Sequence, residues 1–177
     1  MPKPLIFNSS PLIYLTKVSL AHLFKEIPEE KFTTTGVFDE VVREGKRKGA
    51  PEALLVEGLF GEKIIRIRDP EDNEYLKFLK RVSAEAERQP LHEAEAEVLC
   101  VARDLNGIAI TDDQIARSVA RLLRIELHGT GYVLGRMFVT DKIGKDELIG
   151  KVREMRDEGW YVAPEDYLSI IEYLKKL

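Results

Sequence analysis

Residues 91–123 read LHEAEAEVLCVARDLNGIAITDDQIARSVARLL, and the fold class is predicted most clearly from this stretch. Apolar residues recur at helical spacing from Leu91 to Leu105, and Asn106-Gly107 is a typical helix stop. The run Ile108–Thr111 predicts a short buried strand that ends in Asp112-Asp113, and the remaining residues predict a second helix. A helix, a strand and a helix in this order are typical of a parallel sheet covered by helices.

The same alternation extends outward over the first 140 residues. Ser10-Pro11 predicts the N-cap and first residue of the earliest helix. Two further helices are predicted after Lys145, on either side of residues 160–164. Strands are predicted at 4–7, 32–35, 63–68, 108–111 and 125–127, and the other helices at 11–24, 36–45, 51–60, 73–88 and 113–123. The sequence therefore predicts an α/β fold with a central parallel sheet.

The length of 177 residues fits one domain with an appendage. We expect an α/β domain over residues 1–143, with a helical insertion at about 46–90. Residues 144–177 are expected to form a C-terminal helical extension that packs on this domain or on a partner. Their apolar residues fit the protein's own core best, and a dimer interface or a groove for a partner protein is the alternative.

Composition limits the classes of function. The formal net charge of -4 argues against a protein that coats nucleic acid nonspecifically, but not against an enzyme with a small acidic metal site. The single cysteine, Cys100, excludes an internal disulfide and a multi-cysteine zinc site. No run of 18 apolar residues and no secretory signal is present, so we expect a cytoplasmic protein without a membrane span. Scarce Asn and Gln beside abundant Lys and Glu are typical of a thermophile.

Polar residues follow two of the predicted strands, where parallel sheets bind ligands. Asn8 follows the first strand, and Thr111, Asp112 and Asp113 follow the strand at 108–110. Asp113 is also a good N-cap for the next helix, which is the default role of such an Asp. Capping uses only one of the two acids, however, so the pair suggests a metal-binding cluster.

Two glutamates lie on the apolar faces of helices. Glu95 shares a face with Leu91 and Leu99, where a carboxylate is costly unless it is paired or bound to a metal. The alternative for Glu95 is an acid placed near the helix N-terminus by the helix dipole. Glu40 lies beside Val37 and Val41, and a solvated surface position is its stronger alternative.

These stretches together resemble the PIN-domain nucleases, including the VapC-type toxin ribonucleases, and most of all a less characterised prokaryotic branch of that group. The resemblance spans residues 5–135 and depends on the order and spacing of its motifs more than on any one of them. The motifs are Asn8-Ser9-Ser10-Pro11-Leu12-Ile13, Val37-Phe38-Asp39-Glu40-Val41, Leu91-His92-Glu93-Ala94-Glu95-Ala96-Glu97, Thr111-Asp112-Asp113 with Ala116-Arg117, and Gly129-Thr130-Gly131-Tyr132-Val133-Leu134.

The resemblance implies a three-layer α/β/α PIN-like fold and an acidic cluster that uses Mg²⁺ or Mn²⁺ to hydrolyse single-stranded RNA. It also raises the prediction that the protein is the toxin of a toxin–antitoxin pair, with an antitoxin protein as partner. The homodimer is predicted separately, from the apolar residues of the C-terminal segment. The catalytic residues carried over are Glu40, Glu95, Asp112 and Asp113. The predicted metal ligands are Asn8, Glu40, Glu95 and Asp113.

Asn8 departs from the family pattern, which usually has Asp at this position. An amide oxygen can bind Mg²⁺ but brings no negative charge. Glu97 or Asp112 could supply the missing charge. The alternative function is therefore a catalytically weakened PIN-fold module that binds RNA or protein.

Ser9, Thr111 and Arg117 are predicted to contact the substrate. Arg117 shares a helix face with Arg121 and Arg124, for which a solvated surface is the alternative. A receiver or phosphotransferase-like domain is a third, weaker hypothesis, because Asp112-Asp113 follows a strand. In receivers, however, the acid pair follows the first strand, and here it comes late in the chain.

Overall fold

The computed structural model describes residues 2–177, and these contain a parallel sheet of five strands. The order across the sheet is β3-β2-β1-β4-β5. Leu5 of β1 is in register with Lys31 of β2 on one side and with Ile108 of β4 on the other. The strands are β1 (Leu5–Phe7), β2 (Lys31–Thr33), β3 (Arg66–Ile67), β4 (Ile108–Ile110) and β5 (Leu127–His128).

Helices cover both faces of this sheet, so the predicted three-layer α/β/α fold is confirmed. Helices α5, α6 and α7 contact one another, while α1 contacts α4 and α9. The helix bounds are α1 (Ser9–Lys17), α2 (Thr35–Phe38), α3 (Gly45–Arg47), α4 (Glu52–Gly61), α5 (Asn73–Glu87), α6 (Glu93–Asp104), α7 (Gln114–Leu123), α8 (Thr130–Phe138), α9 (Lys145–Asp157) and α10 (Pro164–Lys176). A 3₁₀ turn spans Ala21–Glu26, and a π-helical segment, Asp39–Glu44, joins α2 to α3.

All five strands are shorter than the sequence suggested, and at β3 and β5 the reason is that residues before the strand hydrogen-bond to the end of the preceding helix. The N–H of Ile125 donates to the carbonyl of Ala120, with Arg124 left-handed at φ 56°, so β5 begins only at Leu127. The N–H groups of Ile64 and Ile65 likewise donate to the Leu59 carbonyl at the end of α4. The apolar run before each of these two strands thus finishes a helix.

The first helix begins two residues before the predicted start. Asn8 occupies the N-cap position and Ser9 is the first helical residue, whereas Ser10 was the predicted cap. The Asn8 side chain makes no capping hydrogen bond, because its amide group donates to Thr111 instead. The Asn8 side chain thus connects the ends of β1 and β4 instead of capping α1.

Residues 46–90 hold the expected helices and also the strand predicted at 63–68, so this segment is more than a helical insertion. Helices α4 and α5 lie there, but so does β3, which pairs in parallel with β2 through Phe32↔Arg66 and Thr33↔Ile67. This segment therefore supplies one edge of the central sheet as well as helical cover.

The C-terminal helices bury apolar side chains in the same core as the sheet. Val152, Met155 and Trp160 belong to the hydrophobic cluster that contains Leu5, Ile6 and Phe7 of β1. Across residues 2–177, no helix is long and apolar enough to cross a membrane.

Candidate active site

A cavity of about 890 Å³ opens at the carboxyl edge of the sheet. It is lined by five chain segments that are far apart in sequence. We call it the acidic pocket, and define it by Asn8, Ser9, Glu40, Glu95, Asp112 and Asp113, with Thr111 at its base and Tyr161 at its rim. The structure therefore brings together all but one of the predicted site residues, the exception being Arg117.

The two central strands position the base of the acidic pocket. Because Phe7 is in register with Ile110, the residues after them emerge side by side. The Asn8 backbone N–H donates to the Ile110 carbonyl at 2.9 Å, and the Asn8 side-chain amide donates to Thr111 Oγ1 at 3.1 Å. Asn8 is only 6% exposed, so this amide is fixed where the resemblance expects an acid.

Glu40 and Glu95 reach the pocket from two different helices. Glu40 lies on the π-helical segment after α2, where it is exposed, and Glu95 lies in the first turn of α6. One oxygen of Glu95, Oε2, accepts a hydrogen bond from the His92 backbone N–H at 3.0 Å. Glu95 thus does cap its own helix, as the dipole argument allowed, while facing the same cavity as Glu40 and Asp113.

Electrostatics couple these three acids. Burial raises the pKa of Glu95 above its ordinary value, and the negative charges of Asp113 and Glu40 raise it further. The hydrogen bond from His92 opposes this shift. Three acids that repel one another in a single cavity form an arrangement that a bound cation would stabilise.

Adjacent residues Asp112 and Asp113 have different contacts. Asp113 Oδ1 accepts from the Ala116 N–H at 2.7 Å and caps α7. Both oxygens of Asp112 are hydrogen-bonded: Oδ1 accepts from the Thr130 N–H at 2.8 Å, and Oδ2 accepts from the Thr130 hydroxyl at 2.6 Å and from Trp160 Nε1 at 2.9 Å. The contacts of Asp112 are those of a residue that joins distant segments.

Glu97, considered from sequence as a replacement charge, lies to one side of the acidic pocket. Its carboxylate packs against Gly36, where an added Cβ would come within 2.5 Å of Oε2. That oxygen is buried, with no hydrogen-bond partner among the described residues, and burial raises the pKa of Glu97. Gly36 therefore allows α2 and α6 to approach closely beside Glu40 and Glu95.

The three predicted substrate contacts have different environments. Ser9 lines the acidic pocket, and within residues 2–177 its buried hydroxyl has no partner. Thr111 Oγ1 already accepts from Asn8 and from the Asp113 N–H. Arg117 lines a neighbouring cavity of about 350 Å³ instead, where its Nη1 is 3.9 Å from Asp166 of α10.

The donor set fits a hard divalent cation, because every predicted ligand is a carboxylate or amide oxygen. The arrangement is open, however: over residues 2–177, no three His, Cys, Asp or Glu side chains lie close enough together to hold a metal ion. The predicted ligands thus share one cavity without forming a closed ligand cluster.

Sequence reasoning missed the part that the C-terminal segment plays in this site. Trp160 is buried and donates to Asp112, 48 residues away, and the next residue, Tyr161, stands at the rim of the acidic pocket with 87% of its surface exposed. The sequence marked both only as apolar surface. A hydrogen bond over that separation leaves no local signal.

A family model described as DUF3368, PIN domain, matches residues 4–176. The chain therefore belongs to this PIN-domain family, which confirms the resemblance to PIN domains and gives the chain a nuclease-type fold, while the VapC-type likeness stays a prediction. PIN domains are generally nucleases that bind nucleic acids and use divalent metals. Among curated proteins, no significant sequence match to the chain is found.

Proposed function

We propose that this protein is a metal-dependent endoribonuclease that hydrolyses single-stranded RNA at the acidic pocket. The observation that carries the proposal is the convergence of Glu40, Glu95 and Asp113 on one cavity at the carboxyl edge of the sheet. The raised pKa of Glu95, which Asp113 and Glu40 help to cause, supports it. Perturbed acids in a cleft are typical of functional sites.

In this proposal Mg²⁺ or Mn²⁺ is held by Asn8, Glu40, Glu95 and Asp113. When bound, such a cation neutralises phosphate oxygens and lowers the pKa of a water molecule. Asp113 uses Oδ1 to cap α7, so its Oδ2 is available to the cation. Asn8 contributes its amide oxygen, since its amide nitrogen donates to Thr111.

The remaining predicted residues act around this centre. Asp112, predicted to be catalytic, holds Thr130 and Trp160 and so fixes the wall of the pocket. The hydroxyl of Ser9 is free to bind a substrate oxygen, while Thr111 fixes Asn8. Arg117 lines the neighbouring cavity, where it faces Asp166, so it contacts the substrate only if the RNA also passes through that cavity.

Asn8 favours a second candidate function, a PIN-fold module that binds RNA or protein without cutting. Its buried amide brings no charge, and the described part of the chain has no closed ligand cluster. In either function, an antitoxin protein or a second copy of the chain could cover the pocket, as in a toxin–antitoxin pair. Cleavage, rather than RNA binding, separates the two functions.

The test is cleavage of a mixed single-stranded RNA pool with Mg²⁺, with Mn²⁺ and with EDTA. We expect metal-dependent cutting that falls on the order of 10³-fold in Glu95→Gln, because a catalytic cation contributes several kcal/mol and 1.4 kcal/mol is tenfold. Glu85→Gln, on the exposed surface of α5, is the matched control and should cut like the wild type. RNA binding without cutting under either metal would favour the second function.

A further inference from the structure

A second cavity of about 580 Å³ adjoins the acidic pocket, and Tyr161 lines both. We call it the aromatic pocket and define it by Arg156, Trp160, Tyr161, Pro164, Tyr167 and Leu168. All of these residues come from the end of α9, the start of α10 and the segment between them. The cavity is thus built by the C-terminal segment alone.

The aromatic surface is unusually exposed. Tyr161 is 87% exposed and Leu168 is 60% exposed. Large apolar side chains grouped at the surface mark binding sites more often than isolated ones do. A planar ring that stands free at the rim of a candidate active site offers one face to a planar ligand.

The backbone that leads into Tyr161 is held by two contacts. Trp160 is only 3% exposed and its Nε1 donates to Asp112 Oδ2, which itself lines the acidic pocket. The Tyr14 hydroxyl donates to the Gly159 carbonyl at 3.1 Å. These contacts hold the backbone at Tyr161 next to the acidic pocket, so little backbone freedom is lost when a ligand binds the ring.

The charge of the aromatic pocket is opposite to that of its neighbour. Arg156 is its charged residue, and no acid is among the described residues that line it. The Arg156 guanidinium lies 5.0 Å from the centre of the Tyr167 ring, which leaves its edges free to donate hydrogen bonds. Arg156 suits an anionic group, whereas the acids of the neighbouring pocket suit one only together with the cation of the proposed function. An aromatic ring between two such anionic groups is what a nucleotide chain offers.

We propose that the aromatic pocket binds an unpaired nucleobase of single-stranded RNA, with Tyr161 as the stacking residue and Arg156 meeting an adjacent phosphate. The inference rests on the proposed function for its substrate, since it places this base next to the phosphate that enters the acidic pocket. Stacking on an aromatic side chain accepts any base, so Tyr161 supplies affinity and position more than sequence selection.

The test uses a short single-stranded RNA that carries one 2-aminopurine, whose fluorescence is quenched when it stacks. Binding is measured with EDTA in a Glu95→Gln background, so that the RNA stays intact and repulsion by the acidic pocket is reduced. We expect adding Tyr161→Ala to weaken binding about tenfold and to abolish the quenching, because one stacking contact is lost. Tyr161→Phe keeps the ring and should bind like its Glu95→Gln parent.

The matched control is Leu122→Ala in the same background, which removes an exposed apolar side chain on α7 and should change nothing. RNA binding that is indifferent to Tyr161→Ala would overturn the inference and leave the aromatic pocket as a surface for a protein partner. If the quenching depends on Tyr161 but the wild-type protein never cuts RNA, the proposed nuclease activity is refuted and the base site stands. Cutting with Tyr161-independent binding would refute the base site alone.

Discussion

The acidic pocket and the aromatic pocket share Tyr161 but are built in different ways. The acidic pocket gathers five acidic side chains, from Glu40, from Glu93 and Glu95, and from Asp112 and Asp113. The aromatic pocket has one cation and comes from a single stretch near the C-terminus. The first therefore depends on the register of the sheet, and the second depends on how one segment is anchored.

Each pocket also has an unfavourable feature of its own, which is electrostatic in the acidic pocket and hydrophobic in the aromatic pocket. In the acidic pocket, burial and, to a smaller extent, the charges of Asp113 and Glu40 raise the pKa of Glu95. In the aromatic pocket, the ring of Tyr161 is left in water. A cation would relieve the first and a stacked base would relieve the second, so one ligand that brings both would be bound across the boundary.

We expect the largest effects from replacing Asp112 or Asp113. Asp113 lines the acidic pocket alone, whereas Asp112 lines it and is also hydrogen-bonded to Trp160 of the aromatic pocket. We expect Asp113→Ala to lower cleavage on the order of 10³-fold through loss of a metal ligand. Its free energy of unfolding should fall by only about 1 kcal/mol, the usual contribution of an N-cap. Asp112→Ala should lower the free energy of unfolding by about 3 kcal/mol, because its carboxylate accepts three hydrogen bonds that are all lost.

Urea unfolding followed by circular dichroism gives both free energies, and the RNA pool gives the cleavage rates. Equal stability of the two variants would show that Asp112 does not join the pockets. Asp112→Asn keeps one acceptor oxygen and should recover part of the lost stability. Recovered stability without recovered cleavage would assign Asp112 a direct role in catalysis, as the family resemblance predicts.

Asn8→Asp adds a negative charge to the acidic pocket and leaves the lining of the aromatic pocket unchanged. We expect it to tighten Mn²⁺ binding about tenfold, because a carboxylate replaces an amide among the ligands. The Thr111 hydroxyl can donate to the new carboxylate, so the fold should tolerate the change. Calorimetric titration with Mn²⁺ measures the affinity, and unchanged affinity would remove Asn8 from the ligand set.

The smallest expected effect is a pH dependence that Glu95 confers on the metal-free protein. Because its pKa in the folded state is raised, the stability it contributes is fully present below its ordinary value of 4.5 and is lost as the pH rises through the raised value. Relative to wild type, Glu95→Gln should therefore gain about 1–2 °C in Tm over that rise. Thermal melts across this range test the sign, and added Mg²⁺ should cancel the difference.

The grouping of the acidic-pocket side chains at one edge of the sheet can be predicted from the sequence, for a physical reason. Parallel strands end at the same edge of a sheet, so Asn8 and Asp113 can be placed near each other from their positions after predicted strands. Glu95 follows from its helix face. What this reasoning cannot supply is the spacing of the carboxylates, which depends on how closely α2 and α6 pack around Gly36.

The sequence is less informative where a residue has several neighbours to choose from. Arg117 lies on the predicted helix face, but the partner on that face is Asp166 of α10, whose position depends on the packing of the C-terminal helices. The same holds for Asp112, whose partners Thr130 and Trp160 lie 18 and 48 residues further along the chain. Long-range polar contacts of this kind follow from tertiary packing and leave no periodicity to detect.

The indole of Trp160 has a spectroscopic consequence. It is the only tryptophan of the chain, and its N–H is hydrogen-bonded to a carboxylate that lines the acidic pocket. Tryptophan emission depends on the charge and hydrogen bonding around the ring, so the intrinsic fluorescence of this protein originates at the boundary between the two pockets. The unlabelled chain therefore carries an optical reporter at its candidate active site.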